Sequence, residues 1–237
     1  MLTLSTRRSS ARNAILANLP LSALTAISSF LEPVVLKERV VLQEPRKTVD
    51  RVLFVESGVV SLRVVSAGTM LETAVLGYRG AVGAASLFGG HVPTHQSVVL
   101  FPGNALSISV NDLGQVMNEH PTIRGHLASY VQALATQCAQ SGLCGVCHRL
   151  EQRLACWLCL TRDALDSDIL PVTHNYLSVA LGLPRAGVTR ALIRFESEGL
   201  VRKMRGVLQL HDRRRLLQRA CRCYTVVASA HMRQMNI

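Results

Sequence analysis

Acidic residues are scarce in this chain: 15 Asp+Glu stand against 26 Lys+Arg in 237 residues, a formal net charge of +11. No Ser/His/Asp or paired-carboxylate arrangement stands out among them, so an enzyme is not expected. Aromatic residues make up 4% of the chain, with a single Trp, so aliphatic side chains must form most of the core. No apolar run reaches the ~18 residues that a membrane span requires. The first 137 residues lack cysteine, and the seven that follow (Cys138, Cys144, Cys147, Cys156, Cys159, Cys221 and Cys223) are an odd number. An odd set in a long chain argues against a disulfide framework and fits a cytoplasmic location. No Lys or Arg lies between Arg79 and Arg124.

What is present is unevenly spread. Residues 1–148 carry 11 Lys+Arg and 8 Asp+Glu, net +3, whereas residues 149–237 carry 15 and 7, net +8. The basic excess therefore belongs to the C-terminal part, and a positive patch attracts nucleic acid or an anionic surface. At the other end, Arg7, Arg8 and Arg12 precede the stretch Ala14 to Leu31 and imitate an export signal. Asn13, Asn18, Pro20, Ser22, Thr25, Ser28 and Ser29 interrupt it, and Leu16, Leu19, Leu24, Ile27 and Leu31 fit an amphipathic helix or helix pair instead.

From Pro33 to about Asp112, short β-rich runs recur between turn residues: Val34–Leu36, Val40–Leu42, Val52–Val55, Val59–Val65, Thr73–Leu76, Ser97–Phe101 and Ala105–Val110. Gly58, Gly68, Gly77, Gly80, Gly83, Gly89, Gly90 and Gly103 punctuate them, and strands at this spacing predict a sandwich or barrel-like roll. Pro121 then opens a long helix, Pro being tolerated in a first turn. Leu127, Val131, Leu134 and Cys138, with Ser141, follow at steps of four and three, a narrow seam suited to a second copy of the same helix. Gly142 and Gly145 predict a weakened hinge over residues 142–147. A further helix over His148–Ala164 carries Leu150, Leu154, Trp157, Leu158 and Leu160.

Residues 171–212 hold the most specific pattern. Thr173 is a good N-cap, and Leu177, Ala180 and Leu181 share a helical face. Gly182 and Leu183-Pro184 force a turn. A second helix begins near Arg185, with Val188, Ala191, Leu192 and Phe195 as its buried stripe. Its opposite face carries Ala186, Arg190, Ile193 and Ser197, with Arg194 beside it, and Glu198-Gly199 ends it. Two β-like runs, Leu200–Met204 and Val207–Leu210, meet at Arg205-Gly206 and bear Arg202, Lys203 and Arg205. This is the pattern of a winged helix-turn-helix, whose second helix enters a DNA major groove. Clustered Lys and Arg on helix and wing suit phosphate neutralisation.

Taken in order, these segments resemble the Crp/Fnr family of bacterial transcription regulators over residues 14–224. Leu53-Phe54-Val55-Glu56-Ser57-Gly58-Val59-Val60-Ser61-Leu62 is similar to the strand-glycine-strand signature of that family's sensor domain. Val82-Gly83 followed by Leu87-Phe88 resembles its nucleotide-cassette loop, and Thr173 to Phe195, with Gly182, Val188, Arg190 and Leu192, resembles its helix-turn-helix. The resemblance implies an α+β chain: a sensor β-roll (a double-stranded β-helix) over 14–120, a dimerisation helix and hinge over 121–147, and a Crp-type winged helix-turn-helix over 148–224. It implies a homodimer on a pseudo-palindromic promoter site, with double-stranded DNA, a second copy and RNA polymerase as partners. By position, Arg185, Ala186, Arg190 and Ile193 would face base edges, while Thr173, Thr189, Arg194, Lys203 and Arg205 would contact the backbone. Ala186 stands where the family commonly has Glu, and alanine cannot accept from cytosine N4, so the preferred site should differ from the best-known operator.

The effector pocket would be built around Gly83, Ala84, Thr94 and His95. Cyclic-nucleotide-binding members place a Glu after the cassette glycine and an Arg near the phosphate. Here Ala84 follows Gly83, and the later arm reads Pro93-Thr94-His95-Gln96-Ser97. A response to cAMP is therefore not expected, no cofactor is assigned, and the effector stays unnamed. Cys144-x-x-Cys147 and Cys156-x-x-Cys159 have metal-ligand spacing, but a helical stretch sets the pairs ~18 Å apart, beyond the reach of one ion unless the chain folds back. A metal- or redox-responsive regulator using hinge cysteines Cys144 and Cys147 remains an alternative, with Cys156 and Cys159 as core positions. So does a winged helix that binds protein. His91, His95, His120, His126 and His148 show no pairing that singles out a haem site.

Overall fold

The computed structural model describes residues 11–89 and 92–234; Arg7, Arg8, Gly90 and His91 lie outside the described residues. The N-terminal segment forms a helix pair, α1 (Ala14–Ala17) and α2 (Leu21–Ser28), separated at Pro20. The Asn13 side-chain oxygen accepts from the first-turn amides of α1. Its Nδ2 donates to the carbonyls of Val55 and Gly80, each at 2.9 Å, and pins the pair to the strands that follow.

Those strands are β1 (Glu32–Leu36), β2 (Val41–Gln43), β3 (Arg51–Val55), β4 (Val59–Ser66), β5 (Thr69–Leu76), β6 (Ala81–Val82), β7 (Gln96–Phe101) and β8 (Gly103–Ser109). They pair antiparallel in two sheets, β1-β8-β3-β6 and β2-β7-β4-β5, closing a roll. Leu36, Val55, Val60, Leu76, Val82 and Val99 fill its interior. At Gly58 the chain turns from β3 to β4 with φ of 80°, in contact with the Phe101 and Pro102 carbonyls, where no Cβ could fit. The two-residue β6 and a single 3-10 segment, Ala84–Phe88, are too short for any periodicity to announce.

A helix unforeseen in the sequence, α3 (Val110–Glu119), begins at Val110, the last residue of the final β-rich run, Ala105–Val110. Ser109 caps it, its hydroxyl accepting from the Asp112 amide at 3.0 Å. Asn111, Asp112, Gly114 and Asn118 are weak helix formers, so the buried face of Leu113, Val116 and Met117 carries this element. Next comes α4 (Pro121–Cys147), 27 residues without a break. Gly142 and Gly145 do not interrupt it. Each costs ~1 kcal/mol relative to Ala in a helix, and the packing of the C-terminal helix along α4 outweighs that cost. The chain leaves helical geometry one step later, at His148 (ψ 148°) and Arg149 (ψ 156°).

The C-terminal part comprises α5 (Leu150–Leu165), β9 (Ile169–Leu170), α6 (His174–Leu181), α7 (Arg185–Ser197), β10 (Val201–Met204), β11 (Val207–Leu210), α8 (Arg213–Arg219) and α9 (Cys223–Gln234). The wing β10-β11 gains a third strand, β9, so the sheet runs β10-β11-β9. The helices α8 and α9 lie beyond the stretch with a recognisable pattern.

One face of α4 differs from expectation. Leu127 has no exposed surface and packs into its own chain's core with Ile123 and Tyr130. Val131, Leu134 and Cys138 are half-buried against the roll. The seam therefore looks inward, because an apolar stripe is claimed first by the nearest apolar surface, here the roll. The exposed positions include Gly125, Ala128, Gln132, Ala135, Ala139, Gly142 and Val146, spaced by three and four in the adjacent register.

At Gly103, an added Cβ would lie 2.2 Å from the Ser57 carbonyl oxygen, whereas at Gly114 in α3 nothing lies within 4 Å. Gly103→Ala is expected to cost roughly 1–3 kcal/mol in urea unfolding through overpacking. Gly114→Ala should instead gain up to ~1 kcal/mol from helix propensity.

Candidate nucleic-acid interface, sensor cavity and the contact between them

The helix-turn-helix is built by local rules. The Thr173 hydroxyl accepts from the Tyr176 amide at 3.1 Å and starts α6, and Gly182 ends it with φ of 58°. Val188, Ala191, Leu192 and Phe195 of α7 are buried as the spacing predicts. Gly187 is buried too, and a Cβ there would meet Leu150 Cδ1 at 2.6 Å, so a glycine lets α7 close on α5.

Arg185, Ala186, Arg190 and Ile193 all emerge on the exposed side of α7, Ile193 at 51% exposure. Neither Arg185 nor Arg190 pairs with a carboxylate among the described residues. Arg194 differs: it meets Glu198 at 3.1 Å and Glu151 at 3.3 Å. Lys203 meets Glu196 at 2.9 Å and is largely covered. To reach a phosphate, both would have to leave a glutamate. Thr173 spends its hydroxyl on the cap, and Thr189 shares a 3.1 Å contact with His174 Nδ1. Burial, then the charges of Lys203 and Arg185, lowers the His174 pKa, so this imidazole stays neutral at pH 7. Arg205 is exposed at the wing tip beside Arg202.

A cavity of 470 Å³ opens in the roll, within the size range of small-ligand sites. It brings together Gly83, Ala84, Thr94 and His95 and adds Val131, Leu134 and Cys138 of α4. Gly83 has φ of 84°, and a Cβ there would lie 2.8 Å from the Arg51 carbonyl oxygen. No arginine or lysine lines the cavity among the described residues. Arg51 is held elsewhere, its Nε donating to Ser107 at 2.6 Å and its Nη2 to Glu32 at 2.5 Å. Burial lowers the His95 pKa and raises that of Cys138, so the titratable groups of the wall favour their neutral forms. The Ser97 hydroxyl is buried on this wall without a hydrogen-bond partner among the described residues.

No sequence pattern signals the contact between roll and winged helix. Glu72 of β5 is buried, and its carboxylate accepts from the hydroxyls of Ser61 (β4) and Tyr176 (α6), the latter at 2.5 Å, and from the Trp157 indole N–H (α5). Arg63 lies over the Tyr176 ring at 5.7 Å and donates to Ser61 at 3.0 Å. One apolar cluster continues across the junction, from Val59, Val75 and Phe101 to Leu158 and Leu177. Desolvation raises the Glu72 pKa, against the lowering effect of the three hydrogen bonds and Arg63. The docked state therefore binds a proton more tightly than an opened one, and stability from this group declines as pH rises above the ordinary carboxylate range. Thermal unfolding of the wild type should lose stability over that interval, and Glu72→Gln, which cannot ionise, should show a flatter pH profile. Equal slopes for the two proteins would contradict the assignment.

The cysteines do not group as their spacing suggests. Cys147 is exposed, and Cys159 belongs to the winged-helix core, where burial pushes its thiol up to about 12. Cys144 instead meets Cys221, Sγ to Sγ, at 3.4 Å, and Cys223 meets His148 Nδ1 at 3.6 Å, with Cys156 packed alongside. The sequence signals that could have found this set are Cys144 and His148 four residues apart, and Cys221-x-Cys223.

Comparison with known proteins agrees with this architecture. The Crp-like helix-turn-helix domain matches residues 152–219. No curated protein matches the sequence. Among solved structures, FixK2 from Bradyrhizobium japonicum superposes with a TM-score of 0.70 at 15% identity, covering 81% of this chain and 98% of its own. The c-di-GMP responsive global regulator CLP of Xanthomonas campestris gives 0.67 at 15%, covering 81% and 100%. A CRP/FNR-family transcriptional regulator from Thermus thermophilus gives 0.54 at 23%, covering 80% and 98%. The chain has the Crp/Fnr-type transcription-regulator fold and carries a Crp-like helix-turn-helix domain.

Proposed function

We propose that this protein is a sequence-specific DNA-binding transcription regulator that works as a homodimer on a pseudo-palindromic promoter site. The observation that carries the reading is the outer face of α7, where Arg185 and Arg190 pair with no carboxylate among the described residues, on a helix whose other face is packed. Such guanidinium groups can bond bidentately to guanine O6 and N7. Ala186 and Ile193 beside them offer only apolar contact, so the site should lack the contact that an acidic residue makes to cytosine. Thr173, Thr189 and Arg205 flank this face as backbone contacts, and Arg194 and Lys203 join them on exchanging glutamate for phosphate. Residues 14–120 act as sensor, 121–147 as dimer helix and 148–224 as the DNA-binding domain. The helix α9 extends this last part to Gln234. RNA polymerase is the further partner that the resemblance implies, and the cytoplasm is the site of action.

For dimerisation, the free stripe of α4 is the surface at hand. Gly125, Ala128, Ala135 and Ala139 have almost no side chain, and Gln132 can hydrogen-bond across, so two helices could approach closely. For the sensor, an uncharged effector fits the cavity better than cAMP. A cyclic phosphate would find no cation on the described wall, whereas the Ser97 hydroxyl, without a partner among the described residues, offers a neutral one.

Arg190→Ala is expected to weaken binding to a selected palindromic site by ~1–3 kcal/mol, while binding to random duplex changes much less. Wild-type affinity should also fall steeply with salt. Fluorescence anisotropy over a salt series reads both, and equal losses on specific and random DNA would remove Arg190 from the base-reading role. Ala128→Arg places a charge on the free stripe of α4. It is expected to turn the dimer into a monomer in sedimentation velocity, with the thermal unfolding of each chain little changed.

A further inference from the structure

The last turn of α4 and the start of α9 converge on one cluster of donor atoms. Cys144 lies in the last turn of α4, and His148, four residues on, is the residue that caps this helix. Cys221 lies in the turn after α8, and Cys223 opens α9. The sulfurs of Cys144, Cys221 and Cys223 and a ring nitrogen of His148 all lie within 4.8 Å of one another. The three cysteines are buried and His148 is half-buried.

Packing alone accounts for a buried cysteine, since a free thiol behaves as a small hydrophobe. It does not account for an imidazole nitrogen turned toward a thiol, nor for donors from residues 77 positions apart meeting at 3.4 Å. A tetrahedral ion does. Metal–sulfur bonds of about 2.3 Å and metal–nitrogen bonds of about 2.0 Å set sulfurs about 3.8 Å apart and nitrogen about 3.5 Å from sulfur. The Cys144–Cys221 and Cys223–His148 separations, 3.4 and 3.6 Å, are close to those values. A cubic iron–sulfur cluster would spread its ligands wider than this group stands.

We propose that Cys144, His148, Cys221 and Cys223 form a Cys3His site for one tetrahedral, thiolate-preferring divalent ion, of which zinc is the type. The ion takes three thiolates and one neutral imidazole nitrogen, and the three thiol protons pass to solvent. Cys156 packs against the same sulfurs without ligating. The site bridges the break at His148–Arg149, joining the end of α4 to α9 and so fixing how the C-terminal part leaves the long helix. That consequence for DNA binding rests on the reading of α7 given above; the binding of the ion does not.

Cobalt(II) titration of the full chain, reduced and stripped with chelator, tests the site. The expected result is one ion per chain, with the intense visible bands and sulfur-to-metal charge transfer of tetrahedral thiolate coordination, displaced by one equivalent of zinc. Cys144→Ser, Cys221→Ser and Cys223→Ser should each abolish that spectrum, and His148→Ala should weaken binding at least tenfold. Cys147→Ser and Cys156→Ser should retain it. Far-ultraviolet circular dichroism reports whether each variant folds, and Cys223→His, which keeps a donor, should rescue binding with an altered spectrum. No stoichiometric binding, a pale octahedral spectrum, a brown iron–sulfur chromophore in anaerobically purified protein, or retention in His148→Ala with loss in Cys156→Ser would each overturn the proposal. The two readings fail separately: a chain that binds cobalt but no DNA refutes the role given to α7, and one that binds DNA but no cobalt refutes the metal site.

Discussion

A carboxylate out of reach of water joins the two halves of this chain. Burial raises the Glu72 pKa, and the cost of holding this group away from water is offset only by the donors that surround it in the docked state. Those donors come from both sides: Ser61 from the roll, Trp157 from α5 and Tyr176 from α6. Pulling the winged helix away would leave the carboxylate with Ser61 alone and strip the Trp157 and Tyr176 groups of their acceptor. The apolar surface around it closes against the same two helices. Because α6 leads directly into α7, the position of the DNA-facing helix depends on how β5 holds Tyr176.

The long helix α4 divides its circumference between tasks that compete for the same residues. Its inward face supplies Leu127 and Tyr130 to the core, and the Tyr130 hydroxyl donates to the Ala81 carbonyl at 2.9 Å at the edge of the roll. On the opposite side, glycines, alanines and the amide of Gln132 stand free. A helix with large apolar residues on both faces would bind its own roll and a second copy indiscriminately. Small residues outward and leucines inward would keep the proposed dimer contact separate from the packing on the roll. The apparent heptad of Leu127, Val131, Leu134 and Cys138 is thus a core stripe whose period happens to match a coiled-coil seam, since periods of 3.5 and 3.6 are not distinguishable over three turns.

What can be read from the sequence is what local chemistry decides. The strands of the roll, the cap at Thr173, the turn at Gly182 and the buried stripe of α7 each follow from a few neighbouring residues. The emergence of Arg185, Ala186, Arg190 and Ile193 on one face follows from helical period alone. Residues whose role depends on distant partners are not legible. Glu72 looks like any strand carboxylate until Trp157 and Tyr176 are folded onto it. Cys144 and Cys147 look like a ligand pair because they are close in sequence, yet Cys147, the last residue of α4, is exposed while Cys144 faces Cys221. Gly142 and Gly145 look like a hinge because glycine propensity is a local quantity, and the packing of α9 against α4 is not.

The cavity of the roll and the cysteine cluster share one element, α4. The cavity wall includes Val131, Leu134 and Cys138, and two turns further along the same helix Cys144 faces the cysteines before α9. A ligand in the roll can bias the DNA-binding end only if it binds one arrangement of that helix better than another. The structure offers two anchors that such a bias must work against. Glu72 ties the roll to α5 and α6, and the cysteine cluster ties α4 to α9, so a shift of α4 along or about its axis loads both. A ligand that merely filled the cavity, without displacing Val131 or Leu134, would make the same contacts in either arrangement and transmit nothing. If the roll acts as the proposed sensor, the residues that would decide a response are therefore those on the inner face of α4, more than the Gly83–Ala84 loop that first suggests a pocket.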